Sequence, residues 1–181
     1  MPPSTMTIDS LTFLIAFLLL LPSVSVSATR HLNLTTTAAA NSKSTLECWQ
    51  LSNPFTTSDQ PGTIGSMTTH LGSLANATYS IIPAGTDSGA HNPPAVQFVI
   101  FLSGAADVTI PGSKQATRIS AGENGLFFAA DTAAMSMTGH VTAFTEETIL
   151  LQIPTAGGLV PDHEVLYPGA CKGAELVDLH G

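Results

Sequence analysis

The stretch that decides the fold runs from Gly85 to Gly104 and reads GTDSGAHNPPAVQFVIFLSG. Its second half, Gln97–Leu102 (QFVIFL), is rich in the aromatic and β-branched residues that favour strands, and the turn residues Ser103-Gly104 end it. Side chains alternate between the two faces of a strand, so both faces of this one are apolar apart from Gln97. Such a pattern predicts a strand buried between two sheets.

The amide of Gln97 is the one polar group of this strand that is expected to point into the protein. Gln97, Val99 and Phe101 share one face, whereas the other face carries Phe98, Ile100 and Leu102. A buried amide must find hydrogen-bond partners. It either bonds to neighbouring backbone or water, or it lines a ligand pocket, and the residues themselves leave both interpretations open.

The rest of the chain repeats short β-type runs separated by turn residues, a pattern typical of a sandwich or barrel. These runs are Thr78–Ile82, Asp107–Ile110, Lys114–Ile119, Leu126–Ala129, Met135–Thr138, Val141–Phe144 and Thr148–Ile153. No stretch outside the N-terminal region sustains the apolar period of a helix. The sequence therefore predicts an all-β domain over residues 48–171, with a flexible lead-in at 29–47, which is small and polar, and a tail at 172–181.

The stretch quoted first resembles the first conserved motif of the cupins, Gly-x5-His-x-His-x3–4-Glu-x6-Gly. Gly85 matches the opening glycine, His91 the first histidine and Gly104 the closing glycine. Pro93 stands at the position of the second histidine, and Gln97 stands at that of the glutamate. The resemblance implies a single-domain, cupin-type double-stranded β-barrel (a jelly roll) over residues 48–171.

The second cupin motif, Gly-x5-Pro-x-Gly-x2-His-x3-Asn, is matched only loosely. Gly122 can open it, but Phe128 stands at the proline position and no histidine follows at the family's spacing. Gly139-His140 comes some residues later. The resemblance therefore implies an inserted hairpin, with His140 in the place of the family's histidine.

Cupin metal sites resemble three histidines and one glutamate around Fe, Mn, Ni, Cu or Zn. The matching positions here supply His91, His140 and the neutral Gln97, so no ligand offsets the charge of a divalent ion. Asp131 would add that charge only if the fold brings it inward. We therefore expect no metal, or a divalent transition metal that His91, Gln97 and His140 hold weakly.

Residues 1–28 have the features of a signal peptide. Leu11–Leu21 (LTFLIAFLLLL) is apolar apart from Thr12, is too short to span a bilayer, and precedes the small-residue cleavage site Val26-Ser27-Ala28. We expect a chain that enters the secretory pathway, is secreted or resides in its lumen, and has no membrane span after cleavage.

The two cysteines and two sequons agree with secretion. An even number of cysteines in a secreted chain usually means a disulfide, here between Cys48 and Cys171; two unrelated buried thiols are the alternative. Asn33-Leu34-Thr35 and Asn76-Ala77-Thr78 are glycosylation sequons, which predict glycans on Asn33 and Asn76.

Composition excludes several classes of function. The chain has 181 residues, a formal net charge of −8 and 10% charged residues. Its acidity argues against a nucleic-acid partner, because such proteins present basic patches. Its low charge content argues against intrinsic disorder.

The resemblance implies an enzyme of small-molecule metabolism, such as polyketide or aromatic secondary metabolism, with a small hydrophobic or phenolic substrate in the barrel. His91 would act as acid/base or metal ligand, Gln97 as an orienting hydrogen bond and His140 as a second polar group. With a metal, oxidoreductase chemistry would follow, and without one an isomerase or cyclase. The alternative is a non-enzymatic secreted module for small-molecule binding or storage.

Cupins often form dimers through strand edges, and a homodimer would shield such edges here.

Overall fold

A computed structural model describes Met1 and residues 29–172. The predicted signal peptide beyond Met1 and the predicted tail beyond Lys172 lie outside the described residues. The described part is all-β, as predicted, and contains no α-helix. A single 3₁₀ turn, Ala156–Gly158, interrupts the strands.

Thirteen strands follow one another along the described chain. They are β1 His31–Ala40, β2 Lys43–Pro54, β3 Thr56–Thr57, β4 Met67–Thr68, β5 Thr78–Ile82, β6 Asp87–His91, β7 Gln97–Ser103, β8 Ala105–Thr109, β9 Ala116–Ser120, β10 Leu126–Ala129, β11 His140–Phe144, β12 Thr148–Pro154 and β13 His163–Pro168.

These strands form two main sheets, neither of which closes into a barrel. The larger sheet has the order β13-β2-β1-β10-β7-β12-β5, and the smaller one has the order β6-β11-β8-β9. Strands β3 and β4 form a separate hairpin. No helix in the described part of the chain is long and apolar enough to cross a membrane.

Two apolar clusters hold the sheets together. The inner core lies between the two main sheets and contains Leu46, Val99, Phe101, Ala106, Val108, Ile110, Ile119, Phe127, Ala129, Phe144 and Leu150. The outer core lies on the other face of the larger sheet and contains Leu34, Ala38, Trp49, Leu51, Val96, Phe98, Phe128 and Ala130. Both faces of the larger sheet are thus buried over much of its centre.

Strand β7 follows the alternation predicted from its sequence. Val99 and Phe101 lie in the inner core, and Phe98 lies in the outer core. Leu102, at the end of the outer face, is 49% exposed, so the outer core covers only part of that face.

The flexible lead-in predicted at residues 29–47 is wrong. Strand β1 lies near the centre of the larger sheet, antiparallel to β2 and parallel to β10, and Thr36 and Thr37 within it are fully buried. Asn41 and Ser42 both have positive φ values and form the tight turn between β1 and β2. Threonine favours strands, and the small side chains of this segment fit between the packed layers.

Two other expectations need correction. Met135–Thr138 is a turn and not a strand. Asn33 is buried within β1, and its Oδ1 accepts a hydrogen bond from Gln50 Nε2 at 3.0 Å. A glycan needs an accessible Asn side chain, so the glycosylation predicted at Asn33 does not fit this position. Asn76 lies in an exposed loop, and its glycosylation stays a prediction.

The predicted disulfide is confirmed. It joins Cys48, buried in β2, to Cys171, which follows β13, across a Cα–Cα distance of 4.6 Å. The two cysteines are 123 residues apart in the sequence, and the loop that the disulfide closes contains most of both main sheets.

Removing this disulfide should destabilise the protein strongly. A loop of this length restricts the unfolded chain, so the double variant Cys48→Ala/Cys171→Ala should lose about 4 kcal/mol of unfolding free energy. Urea unfolding followed by circular dichroism measures this loss. Wild type unfolded under reducing conditions is the control and should match the variant; equal stability of oxidised wild type and variant would contradict the prediction.

Gly104 makes the sharp connection between β7 and β8 possible. Its φ is +74°, and a Cβ at this position would lie 2.6 Å from the Glu147 carbonyl oxygen and would overlap Thr148. Gly112, in the turn after β8, has a φ of +72°, but a Cβ there would meet open space. The two glycines thus share a backbone conformation and differ in their surroundings.

Alanine at these two glycines should separate backbone strain from steric overlap. Gly112→Ala should cost about 1–2 kcal/mol of unfolding free energy, because an L residue is strained at positive φ. Gly104→Ala should cost a further ~1–3 kcal/mol, because the methyl group must displace β12. Urea unfolding of both variants tests this, and equal losses would show that β7 and β12 do not approach closely at Gly104.

Candidate functional site

A cavity of about 200 Å³ lies between the two main sheets, within the inner core. Its walls are mostly apolar and include the aromatic rings of Phe101, Phe127 and Phe144. All three of the predicted site residues line it, namely His91, Gln97 and His140. The structure therefore brings the predicted residues together.

The two histidines are neighbours across the smaller sheet. His91 ends β6 and His140 begins β11, and they are directly opposite each other in the antiparallel register. Their ring centroids are 4.7 Å apart, with the ring planes inclined at 57°. Gly139 has a φ of +62°, and a Cβ there would overlap the backbone carbonyl of His91, so glycine permits the close approach of the two strands.

A buried carboxylate lies behind His140. Asp131 has no solvent exposure and sits in the connection between β10 and β11. Its Oδ2 lies 2.9 Å from His140 Nδ1 and also accepts a 2.6 Å hydrogen bond from Ser44 Oγ. His140 is itself only 4% exposed. The carboxylate therefore holds the ring by Nδ1 and leaves Nε2 for the cavity.

The protonation state of Asp131 follows from these contacts. Burial by itself raises the pKa of this carboxyl group, since it disfavours the charged form. The hydrogen bond from His140, the positive charge of that ring when protonated and the bond from Ser44 act in the opposite direction. Together they outweigh burial and hold the pKa of Asp131 below its ordinary value of 3.8, so the group is a carboxylate at neutral pH.

A polar network fixes the segment that carries Asp131. Asn92, next to His91, donates from Nδ2 to the backbone carbonyls of Asp131 at 2.7 Å and Ser136 at 3.1 Å. The Oγ of Ser136 lies 2.7 Å from Ser44 Oγ and accepts from the backbone N–H of Gly139. These bonds tie the β10–β11 connection to both histidines.

Two amides face the same cavity. Gln97 is 4% exposed, and its side chain has no hydrogen-bond partner among the described residues. This arrangement fits the pocket-lining interpretation of Gln97. Gln152, on β12, also lines the cavity, and its Oε1 accepts a 3.2 Å hydrogen bond from Ser80.

The residues around the cavity do not fit the metal centre that the cupin resemblance implies. His91 and His140 offer two nitrogen ligands and Gln97 a neutral oxygen, whereas the Asp131 carboxylate is engaged on the far side of His140. Among the described residues, no three His, Cys, Asp or Glu side chains are grouped to hold a metal ion. A divalent ion would therefore remain without a negatively charged ligand.

The remaining described histidines, His31, His70 and His163, lie elsewhere. His31 begins β1, and its Nδ1 lies 2.9 Å from the backbone carbonyl oxygen of Leu51. His70 is exposed in the loop between β4 and β5. His163 belongs to β13, where its ring stacks on Trp49 with a centroid distance of 3.6 Å. None of the three lines the cavity, so none can join His91 and His140 in one site.

Sequence reasoning missed two features of the site. Gln152 lies within the predicted strand Thr148–Ile153, two residues after Leu150. Side chains two residues apart share one face of a strand, so Gln152 could have been placed at the cavity together with Leu150. The sequence indicates that Asp131 adds charge to the site only if the fold brings it inward, but its role as the partner of His140 depends on the path of the β10–β11 connection. No spacing in the chain indicates that path.

Comparisons with known protein families, with curated proteins and with solved structures found no match. The cupin resemblance therefore stays a prediction.

The Asp131 network should make stability depend on pH. The folded-state pKa of Asp131 is lowered, so its contribution is present above 3.8 and is lost as the pH falls below that value. At neutral pH, Asp131→Asn should lower the unfolding free energy by about 1–3 kcal/mol, since it leaves buried donors poorly paired. Urea unfolding at neutral pH and below pH 3.8 measures both effects.

Asp59→Asn is the matched control, because Asp59 is an exposed carboxylate between β3 and β4. This variant should unfold like wild type at neutral pH. The difference between the Asp131 variant and wild type should shrink in acid. A neutral-pH stability of Asp131→Asn equal to that of the control would mean that the buried network does not stabilise the fold.

Proposed function

We propose that this protein is a secreted, cupin-type enzyme that transfers protons on a small, uncharged and largely apolar substrate, as an isomerase or cyclase. One observation carries the proposal: a carboxylate-backed imidazole, His140, stands beside a second imidazole, His91, at the wall of an apolar cavity. Proton-transfer enzymes use such imidazoles because they exchange protons near neutral pH.

The order of the strands supports the cupin part of the proposal. From β5 to β12, strands pass back and forth between two facing layers, with β5, β7, β10 and β12 in the larger sheet and β6, β8, β9 and β11 in the smaller one. Eight strands in two packed sheets are the arrangement of a jelly roll, to which cupins belong. Strands β1, β2 and β13 would then be an extension of one sheet.

The proposed reaction needs only groups that the chain supplies. A neutral imidazole takes a proton from the substrate through Nε2, and the electrons of the broken bond move into the substrate as an enolate. The resulting imidazolium is stabilised by Asp131 when it forms on His140. It then returns the proton at another substrate atom, directly or through His91, so that no oxidant, reductant or net proton is consumed.

The cavity is suited to hold an uncharged substrate. None of the described residues that line it is Lys, Arg, Asp or Glu. The aromatic walls would bury an apolar ring, and the unpartnered amide of Gln97 would orient a polar atom of the substrate. Oxidoreductase chemistry of the metal-dependent cupin kind is less well supported, because the available ligands include no carboxylate.

The disulfide supports secretion. Disulfides persist in oxidising compartments and are rare in the cytosol, so the Cys48–Cys171 bridge is compatible with an extracellular location. Together with the apolar run of Leu11–Leu21, it favours the secretory pathway for this chain.

Hydrogen–deuterium exchange into a simple ketone tests the proton transfer without knowledge of the natural substrate. Wild type should speed the incorporation of deuterium from D₂O into the methyl group of acetophenone, measured by proton NMR. His140→Gln and His91→Gln should each slow this exchange by about 10²–10⁴-fold if the lost imidazole is the base.

His70→Gln is the control, because His70 is exposed and lies away from the cavity. It should exchange at the wild-type rate. Binding of acetophenone without exchange above the buffer rate would reject the enzymatic proposal and favour the non-enzymatic binding module.

A further inference from the structure

We infer that the His91–His140 pair is a recognition site for a hydroxyl donor, so that the natural ligand donates a phenolic or enolic O–H to one Nε2 atom of the pair. This inference deepens the proposed function, since it names the chemical group that the same site selects. It depends on which ring nitrogen of each histidine carries the hydrogen.

The hydrogen of neutral His140 is on Nδ1. Its neighbour there is the carboxylate of Asp131, with oxygens at 2.9 and 3.1 Å. A carboxylate can only accept hydrogen bonds, so Nδ1 must be the donor. The Nε2 atom of the neutral ring is then a lone-pair acceptor, and it has no hydrogen-bond partner among the described residues.

The hydrogen of neutral His91 is also on Nδ1. The backbone carbonyl of Gly89 lies 3.0 Å from this nitrogen and can only accept. The other neighbour, Ser88 Oγ, lies 3.2 Å away, but it donates its own hydrogen to the carbonyl of Thr142 at 2.9 Å. Ser88 therefore also acts as an acceptor towards His91. The Nε2 atom of His91 is the second lone-pair acceptor.

Two acceptors thus stand side by side at the cavity wall. The ring centroids of His91 and His140 are 4.7 Å apart, so a single small group can contact both rings. A carbonyl or ether oxygen placed there has no hydrogen to donate, so its lone pairs would face the lone pairs of the Nε2 atoms without a hydrogen bond. A hydroxyl group donates to one Nε2 instead, and its oxygen can receive the proton back after transfer.

The rest of the cavity is consistent with a ring that carries this hydroxyl. The volume of about 200 Å³ and the walls formed by Phe101, Phe127 and Leu150 fit a small aromatic or cyclic ligand. The amide of Gln97 supplies a donor to a second oxygen of the ligand. The site would therefore distinguish an enol or phenol from its apolar isostere at one end of the cavity.

Phenol and toluene test this inference, because they have nearly the same shape and differ in the hydroxyl group. Binding constants are measured by ligand-observed NMR at neutral pH in the presence of EDTA, for wild type, His91→Phe and His70→Phe. Loss of one acceptor in His91→Phe should weaken phenol binding by about tenfold relative to toluene. His70→Phe makes the same substitution at an exposed histidine away from the cavity and should leave this ratio unchanged.

Nitrogen-15 NMR of the histidine rings provides a readout independent of affinity. Both rings should show protonated Nδ1 and bare Nε2 in the free protein, and phenol should shift the Nε2 resonance of the ring that accepts its hydrogen bond. A protonated Nε2 on either neutral ring, or equal loss of phenol and toluene affinity in His91→Phe, would overturn the inference. Absence of acetophenone exchange with the phenol preference intact would reject the proposed reaction alone.

Discussion

The hydrogen bond between Asp131 and His140 is the interaction on which the rest of the site depends. A carboxylate with no solvent exposure is costly unless donors surround it, and here His140 and Ser44 supply them. Because these donors come from β2 and β11, the carboxylate also ties the larger sheet to the smaller one. Asp131 is therefore both a part of the candidate site and a residue that stabilises the fold.

This arrangement separates charge from the cavity. The carboxylate lies behind His140 at Nδ1, while the cavity wall itself carries imidazoles, amides, the Thr142 side chain and apolar side chains. Had Asp131 faced the cavity, it would have offered the charge that a divalent metal needs. At its position behind Nδ1 it instead fixes the orientation of the His140 ring.

Much of the inner layer could be predicted from sequence, because it follows from local alternation. The faces of β7 and the inward amide of Gln97 are of this kind. The Cys48–Cys171 bridge could be predicted for another reason, because the chain has just two cysteines. Strand β1 could not be predicted, since its threonines and alanines look like a polar linker until β2 and β10 cover them. The pairing of Asp131 with His140 could not be predicted either. It depends on the β10–β11 connection, which is held by hydrogen bonds to residues distant in the sequence.

The path of the β10–β11 connection explains how two histidines that lie far apart in the sequence come to line one cavity. The strands that follow Gly85 place His91, Pro93 and Gln97 on the cavity and bring no carboxylate to it. The turn before β11 brings His140 to His91 and carries Asp131, which bonds to His140 Nδ1. Asn92 then joins the two halves by bonding to the backbone of that turn. One connection thus supplies both the second imidazole of the cavity and the carboxylate behind it, and it leaves the cavity wall without a carboxylate.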